Sequence, residues 1–354
     1  MLIVNNKKYT TESFLERFEN STEQYLNNIC SLIRHWNDES NKIDITTSGS
    51  TSTPKTISLD KSSIKASALG TQAYFGYKDN DNALLCLPVK YIGGMMMLIR
   101  SLISNLNLYI VDPSLNPLSQ LKSKIQFAPM TPAQLITSIK KNKSKIENID
   151  KILLGGGPVS VALLDQISNL KSKVYHSFGM TETISHIAIK ELNYHTKDET
   201  FFALNGVQLS IDDHSCLVIE AGYLKNKVIT NDVVELINEE QFIWKGRRDN
   251  VINSGGVKLY PEVIEHKLSK VINEKYFITG IDDDILGQKL CLVLETNKEI
   301  DHQSYINRIS KYLDRFEIPK AVYCVKQFAK TETGKVIRKK TLNRAIIKHK
   351  ESAV

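Results

Sequence analysis

The run Thr46-Thr47-Ser48-Gly49-Ser50-Thr51-Ser52-Thr53-Pro54-Lys55 gathers hydroxyls, a glycine and one ammonium into a single short segment. A loop of that make-up can turn backbone N–H groups, hydroxyls and a lysine toward a polyphosphate, as other phosphate-binding nests do. It is not a P-loop, because the GxxxxGK[ST] spacing is missing. A flexible Ser/Thr linker is the alternative. The flanks argue against it: Ile43 and Ile45 alternate with polar residues as a strand would, and a helical pattern runs from Asp60 to Tyr74. The loop is therefore expected between a strand and a helix, where open α/β sheets bind ligands.

Five further segments carry chemistry. Gly155-Gly156-Gly157 follows the apolar run Ile152-Leu153-Leu154 and lets backbone approach a flat ligand, or simply turns. Ser177-Phe178-Gly179-Met180-Thr181-Glu182 ends in a hydroxyl and a carboxylate, and Mg²⁺ with a nucleotide takes one or two carboxylates plus phosphate oxygens. Thr230-Asn231-Asp232 and Gly246-Arg247-Arg248-Asp249 each offer a carboxylate, the second beside two guanidinium groups. Thr333-Gly334-Lys335 presents one ammonium on a short turn.

Together, in this order, the segments resemble the acyl-adenylate-forming superfamily, which includes acyl-CoA synthetases, luciferases and peptide-synthetase adenylation domains. The likeness runs from about Ile43 to Arg338. Ser52 replaces the second glycine of the family's TSGSTGxPK loop, and Asn231 replaces the glycine of its TGD. The resemblance implies ATP, Mg²⁺ and coenzyme A as cofactor and substrates. It gives Thr47, Ser48, Gly49, Ser50, Thr51 and Lys55 to the phosphates, Gly155, Gly156 and Gly157 to adenine, and Ser177, Phe178 and Gly179 to the nucleotide. Thr181 would touch the α-phosphate, Glu182 hold the metal, and Asp232 with Arg247 take the ribose. Lys335 would be the catalytic lysine, Asp249 the hinge, and Gly255 and Gly256 would line the CoA channel. Leu87–Gly94 would wall the acyl pocket with Tyr91 (a histidine in most relatives), Gly93, Met95 and Arg100, although Met95-Met96-Met97 also suits buried helix packing. Within the superfamily the motifs look most like those of o-succinylbenzoate–CoA ligases of menaquinone synthesis. Ligation to a carrier-protein arm is a weaker alternative, since no carrier domain is visible. A CoA ligase for another aryl or medium-chain acid remains open, and so does a nucleotide-binding regulator without chemistry, although Lys335 and Glu182 are both kept.

The elements that must hold these residues are legible in outline. Ala83–Leu87, Leu108–Val111, Ile125–Ala128, Lys151–Leu154 and Val174–His176 read as strands; Met95–Ser104, Pro132–Lys140 and Val159–Asn169 read as helices between them. That is a helix-covered, mostly parallel sheet. From Gln208 to Trp244 shorter alternating strands suggest antiparallel structure. After Gly246 a compact α+β unit is expected, with a helix after Pro261, strands near Phe277–Ile281 and Leu290–Leu294, and a helix across Tyr305–Leu313. The reading is a large domain, 1–246, and a small mobile domain, 247–354. Relatives place a long subdomain before the phosphate loop; here 45 residues precede Thr46, so most of it is expected to be missing.

The chain has 354 residues, 42% hydrophobic and 24% charged, which fits a soluble globular protein of two domains. No apolar run reaches the ~18 residues of a membrane span, and the N-terminus lacks a signal-peptide pattern. Five scattered cysteines without ligand spacing suggest free thiols in the cytoplasm. The net charge of +7 owes much to Lys335, Arg338, Lys339, Lys340, Arg344, Lys348 and Lys350. Without interleaved aromatics this run reads as a solvated helix or a surface steering polyanions, not a nucleic-acid site. The expected partners are a small-molecule acid, ATP and CoA, with a homodimer left open.

Overall fold

A computed structural model describes residues 1–46, 55–194, 199–298, 300–330 and 336–352. Strand β1 (Leu2–Val4) folds back on β2 (Lys7–Tyr9), and helices α1 (Thr11–Phe18) and α2 (Gln24–Asn37) follow. Thr10 caps α1 by accepting from the Ser13 backbone. Phe14 on α1, and Leu26, Ile29 and Ile33 at helical spacing on α2, are buried in the main core.

Strands β3 (Lys42–Thr46) and β4 (Thr56–Asp60) pair antiparallel, Ile43 opposite Leu59 and Ile45 opposite Ile57. This corrects the expected strand–loop–helix. The Ser/Thr-rich segment joins two strands of a hairpin, and helix α3 (Lys61–Phe75) starts only after β4. Thr56–Asp60 is itself a period-2 run, short enough to be missed beside the long helix that follows.

The main sheet is built on β5 (Asn82–Leu85), β6 (Asn107–Ile110), β7 (Ile125–Met130), β8 (Ile149–Leu154) and β9 (Lys173–Gly179). These lie parallel in the order β9-β8-β7-β5-β6, and β1 adds beside β6. Helices α4 (Ile92–Ile103), α5 (Pro132–Ile146) and α6 (Val161–Ile167) make the crossovers. Ile152, Leu153 and Leu154 are all buried, as a strand covered on both faces requires. Beyond β9 the sheet turns antiparallel through β10 (His186–Glu191), β11 (Thr200–Ala203), β12 (Val207–Ile211), β13 (Cys216–Ala221), β14 (Val228–Asn238) and β15 (Gln241–Arg247).

A 3₁₀ turn at Arg248–Asn250 leads into a second sheet. It comprises β16 (Ile252–Ser254), β17 (Val257–Leu259), β18 (Lys275–Asp283), β19 (Gly287–Glu295) and β20 (Ala321–Val325). Helices α7 (Pro261–Leu268), α8 (His302–Ile309) and α9 (Arg338–Ser352) accompany it. The hydrophobic clusters fall on either side of residue 246: two draw on residues up to Trp244, and two on residues from Ile252 onward. Among the described residues no helix is long and apolar enough to cross a membrane.

Candidate active site

The carboxyl ends of β7, β8 and β9 meet at the triple glycine. Gly155 N–H donates to the Met130 carbonyl at 3.1 Å. Ser177 Oγ donates to the Leu154 carbonyl at 2.7 Å and lies 3.0 Å from where a Cβ on Gly155 would be. Gly156 has φ +77°, a conformation suited to glycine. The His176 ring lies beside the Gly157 backbone; burial, then the Lys190 charge, push its pKa down to about 4, so the imidazole is neutral. Beside them Thr131 and Gln134 form a capping box at the start of α5. Gln134 also donates to the carbonyls of Cys86 (2.8 Å) and Ser114 (3.0 Å), tying the end of β5 to the same edge. The result is a fixed floor outside the strand ends, the usual ligand position in such sheets.

A Cβ on Gly179 would sit 2.3 Å from the Ser185 carbonyl and 2.4 Å from His186 Cα, so the approach of β10 to β9 by itself demands glycine there. The Phe178 ring packs edge-on against Phe242 and Phe201 (5.0 and 5.8 Å between centroids). Thr183 Oγ1 takes the Met180 N–H at 3.0 Å and is 2.7 Å from the Ser185 carbonyl, closing a turn that leaves Thr181 half-buried and Glu182 exposed. Ile184 completes it at φ +69° while buried, an uncommon state for a β-branched residue. Such strain gathers at functional segments.

Asp232 and Arg247 are register partners on β14 and β15. The buried Asp232 carboxylate accepts from Trp244 Nε1 at 2.9 Å and lies 3.6 Å from Arg247. Burial raises its pKa, against the pull of Trp244 and Arg247. Arg247 also holds Asp249 at 3.0 Å, and Asn231 Nδ2 reaches both oxygens of Asp249 at 3.3 Å. Asp249 lies in the 3₁₀ turn between the two sheets.

The Leu87–Gly94 turn opens α4. Gly94 is required there, since its Cβ would fall 2.4 Å from the Pro88 carbonyl oxygen; at Gly93 the nearest atom is Leu87 Cδ1 at 3.3 Å. Tyr91 is exposed with Lys90 Nζ 5.1 Å from its ring centroid. Met95, Met96 and Met97 are all buried in the main core, the packing alternative for this triplet. Arg100 is 2% exposed and donates to Ser185 Oγ at 2.6 Å. Its Nε has no partner and no carboxylate pairs with it among the described residues. Burial lowers its pKa to about 10, which still leaves it charged. Ser185 Oγ and Thr71 Oγ1 flank His186 at 3.3 Å each, and burial with the Arg100 charge keeps that ring neutral. A cavity of about 310 Å³ lies beyond the turn, lined by Tyr25, Ile29, Leu87, Lys90, Val111 and Asp112 among others, but by none of the residues expected to hold the nucleotide.

The AMP-binding enzyme family matches residues 36–219, about half of the chain. The 2-succinylbenzoate–CoA ligase of Staphylococcus epidermidis is 30% identical over 322 residues, spanning 83% of this chain and 68% of the relative. The chain belongs to the AMP-binding enzyme family, among its AMP-forming CoA ligases. The Staphylococcus aureus 2-succinylbenzoate–CoA ligase is 27% identical over 321 residues, 83% of this chain and 65% of the relative. Among solved structures, an acyl-CoA synthetase (AMP-forming)/AMP-acid ligase II-like protein from Dyadobacter fermentans is 34% identical, with a TM-score of 0.64 over 95% of this chain and 99% of that one. The o-succinylbenzoate coenzyme A synthetase of Bacillus subtilis, in complex with ATP and magnesium, shares the fold at 19% identity, with a TM-score of 0.73 over 96% and 83% of the two chains.

Within this AMP-binding enzyme, Thr47, Ser48, Gly49, Ser50, Thr51 and Lys335 lie outside the described residues. Lys55 is exposed just before β4, and Lys330 and Val336, on either side of the segment that carries Lys335, form a β-bridge. Gly255 and Gly256, at φ +57° and +82°, form the two-residue turn between β16 and β17, which alone demands glycine. No hydrogen bond or ion pair between described residues joins the Gly155–Gly157 group to the Asp232 group. Nor do the described residues include three or more His, Cys, Asp or Glu placed to hold a metal unaided. A magnesium ion arriving on ATP needs fewer protein ligands, and the exposed Glu182 carboxylate suits that arrangement. Trp244, His176 and Ser185 were not legible as site residues. Of these only Trp244 carried a signal, since a half-buried indole N–H needs an acceptor.

Proposed function

We propose that the chain is an ATP-dependent carboxylic acid–CoA ligase working through an acyl-adenylate, with o-succinylbenzoate as its acid and menaquinone synthesis as its setting. Arg100 carries the choice of acid: a buried cation without an anionic partner, one helix turn and a half along from the acyl turn, is suited to a second carboxylate that is not activated. The curated relatives point to the same acid.

In the first step a carboxylate oxygen attacks the α-phosphorus, the bond to the β-phosphate oxygen breaks, and pyrophosphate leaves. In the second the CoA sulfur attacks the acyl carbon, AMP leaves, and the thiol proton passes to solvent. Gly155–Gly157 would floor the adenine, with Ser177 and Phe178 beside it. Asp232 and Arg247 would take the ribose hydroxyls, and Thr181 the α-phosphate. Thr47–Thr51 and Lys55 would hold the outer phosphates, whose charge Mg²⁺ on Glu182 would offset. Lys335 would stabilise charge developing at the α-phosphoryl oxygens. A 1–246 domain and a 247–354 domain would change orientation about Asp249 between the steps, bringing Gly255 and Gly256 to the pantetheine route. A cytoplasmic location and a homodimer belong to the same proposal.

The test is ATP–pyrophosphate exchange over aromatic and aliphatic acids. Exchange with o-succinylbenzoate above all others is expected. Exchange with long-chain fatty acids and none with o-succinylbenzoate rejects the substrate but keeps the reaction.

A further inference from the structure

Glu262, the second residue of α7, has a carboxylate that touches both sides of the Arg247–Asp249 junction. One oxygen accepts from Asn250 Nδ2 at 2.5 Å and lies 3.6 Å from the Arg338 guanidinium. The other is buried with no hydrogen-bond partner among the described residues. It rests on Gly246, whose added Cβ would stand 2.4 Å from Glu262 Oε2. Gly246 is in β15, the last strand of the large sheet; Asn250 follows Asp249 directly; Arg338 opens α9, three residues after Lys335. Arg338 is itself fixed, by Glu265 at 2.7 and 3.0 Å, by the Ile278 carbonyl at 2.8 Å, and by the Phe277 ring.

We propose that Glu262 is a positioning residue: docked on Gly246, it holds the α7–α9 unit, and with it the start of α9 just beyond Lys335, in the orientation seen here. The proposal rests on the lysine and hinge roles given above.

The quality of the contact supports a join made to open. A permanent one would satisfy both carboxylate oxygens. Here Oε2 is desolvated against a Cα, an arrangement that exposure to water relieves. Rotation about Asp249 carries Glu262, Asn250 and Arg338 together and leaves Gly246 behind. The Asn250 and Arg338 contacts then survive, and only the Gly246 contact breaks. Glycine at 246 is doubly constrained, by φ +145° and by the carboxylate seated on it.

The experiment combines stopped-flow of the two half-reactions with an activity-independent distance. Spin labels go on Ile229→Cys in β14 and Ile285→Cys in the β18–β19 turn, both exposed. Four of the five native cysteines are buried. Glu262→Ala should slow adenylation at least tenfold while thioester formation from supplied acyl-adenylate changes less than twofold. Its interspin distribution should gain a second population that the unliganded wild type lacks. Glu262→Gln, isosteric and still an acceptor for Asn250, should fall between the two, and it decides the matter if the alanine variant does not fold. Equal slowing of both half-reactions, or an unchanged distance distribution, overturns the proposal. So does a wild-type distribution as broad as the variant's. If the wild type exchanges pyrophosphate with no acid, it is the ligase reading that fails, and the distances still test the contact.

Discussion

Trp244 on β15 reaches diagonally to Asp232 on the adjacent β14, the indole N–H donating to the carboxylate at 2.9 Å. Burial raises the Asp232 pKa, and the indole and Arg247 hold the charge in place against it. The half-buried ring also packs on the main core. One residue thus covers the base of the carboxylate and orients it, leaving the remaining lone pairs for hydroxyls from the open side.

Trp244→Phe keeps a ring and removes the donor. A hydrogen bond to a charged group is worth about 1.5–3 kcal/mol, so AMP affinity should fall by about tenfold to a hundredfold. The loss should grow at acid pH, where the less well-held carboxylate protonates first. Calorimetric titration with AMP reads both effects, and an unaltered dissociation constant would remove Asp232 from the nucleotide site.

His176 makes stability depend on pH in a stated direction. Its pKa is about 4 in the folded chain against the ordinary 6.5. Between those values the unfolded chain binds a proton that the folded chain refuses, so stability falls as pH drops from 6.5 toward 4 and is level above 6.5. His176→Asn removes that titration. Between pH 7 and pH 4.5 the variant should lose roughly 2 kcal/mol less than the wild type in denaturant unfolding. Equal losses would show that this imidazole is not the acid-sensitive group; buried His186 shifts the same way and is the next to test.

The parallel strands and their helices were readable because a strand buried on both faces is a continuous apolar run, as at Ile152–Leu154. The hairpin at Thr56–Asp60 was not, since five alternating residues next to a long helix give a weak period. The reasons for the glycines were not separable in sequence. Gly155 packs on Ser177 at the strand ends, whereas Gly179 and Gly94 answer to backbone crossings, and Gly255-Gly256 to a turn. Long-range pairing hid the rest. Arg100 meets Ser185 from 85 positions away, and Glu262 meets Gly246 through a fold-level contact that no local pattern encodes.

Arg100→Met separates stability from recognition. Replacing an unpaired buried cation by an apolar side chain of similar length should leave stability unchanged or raise it. A charge-assisted contact to a second carboxylate is lost at the same time, at about 2–3 kcal/mol, so KM for o-succinylbenzoate should rise on the order of a hundredfold while benzoate-type monoacids are unaffected. A strongly destabilised variant with unchanged acid preference would make Arg100 a structural residue only.

Lys335→Ala should cut adenylation by orders of magnitude, because one group acting on developing charge is worth about 3–4 kcal/mol. Thioester formation from supplied acyl-adenylate should continue. The two rates, measured separately, must diverge; a parallel fall would place the lysine in general binding.

Asp249 holds its neighbours as well as its proposed hinge, and the two functions can be separated. Its carboxylate pairs with Arg247 at 3.0 Å and takes the Asn231 amide. Asp249→Ala loses those contacts but keeps backbone freedom, so both half-reactions should slow by a similar small factor as Arg247 loosens. Asp249→Pro loses the same contacts and also fixes φ near −65°, which blocks reorientation where only a few residues absorb the motion. Relative to the alanine variant, the proline variant should retain adenylation, if that is the orientation it keeps, and lose thioester formation by a large factor. Comparing the pair cancels the carboxylate's contribution. If proline and alanine behave alike in both half-reactions while folding normally, residue 249 is a surface ion-pair position and the turn must lie elsewhere in the 246–250 segment.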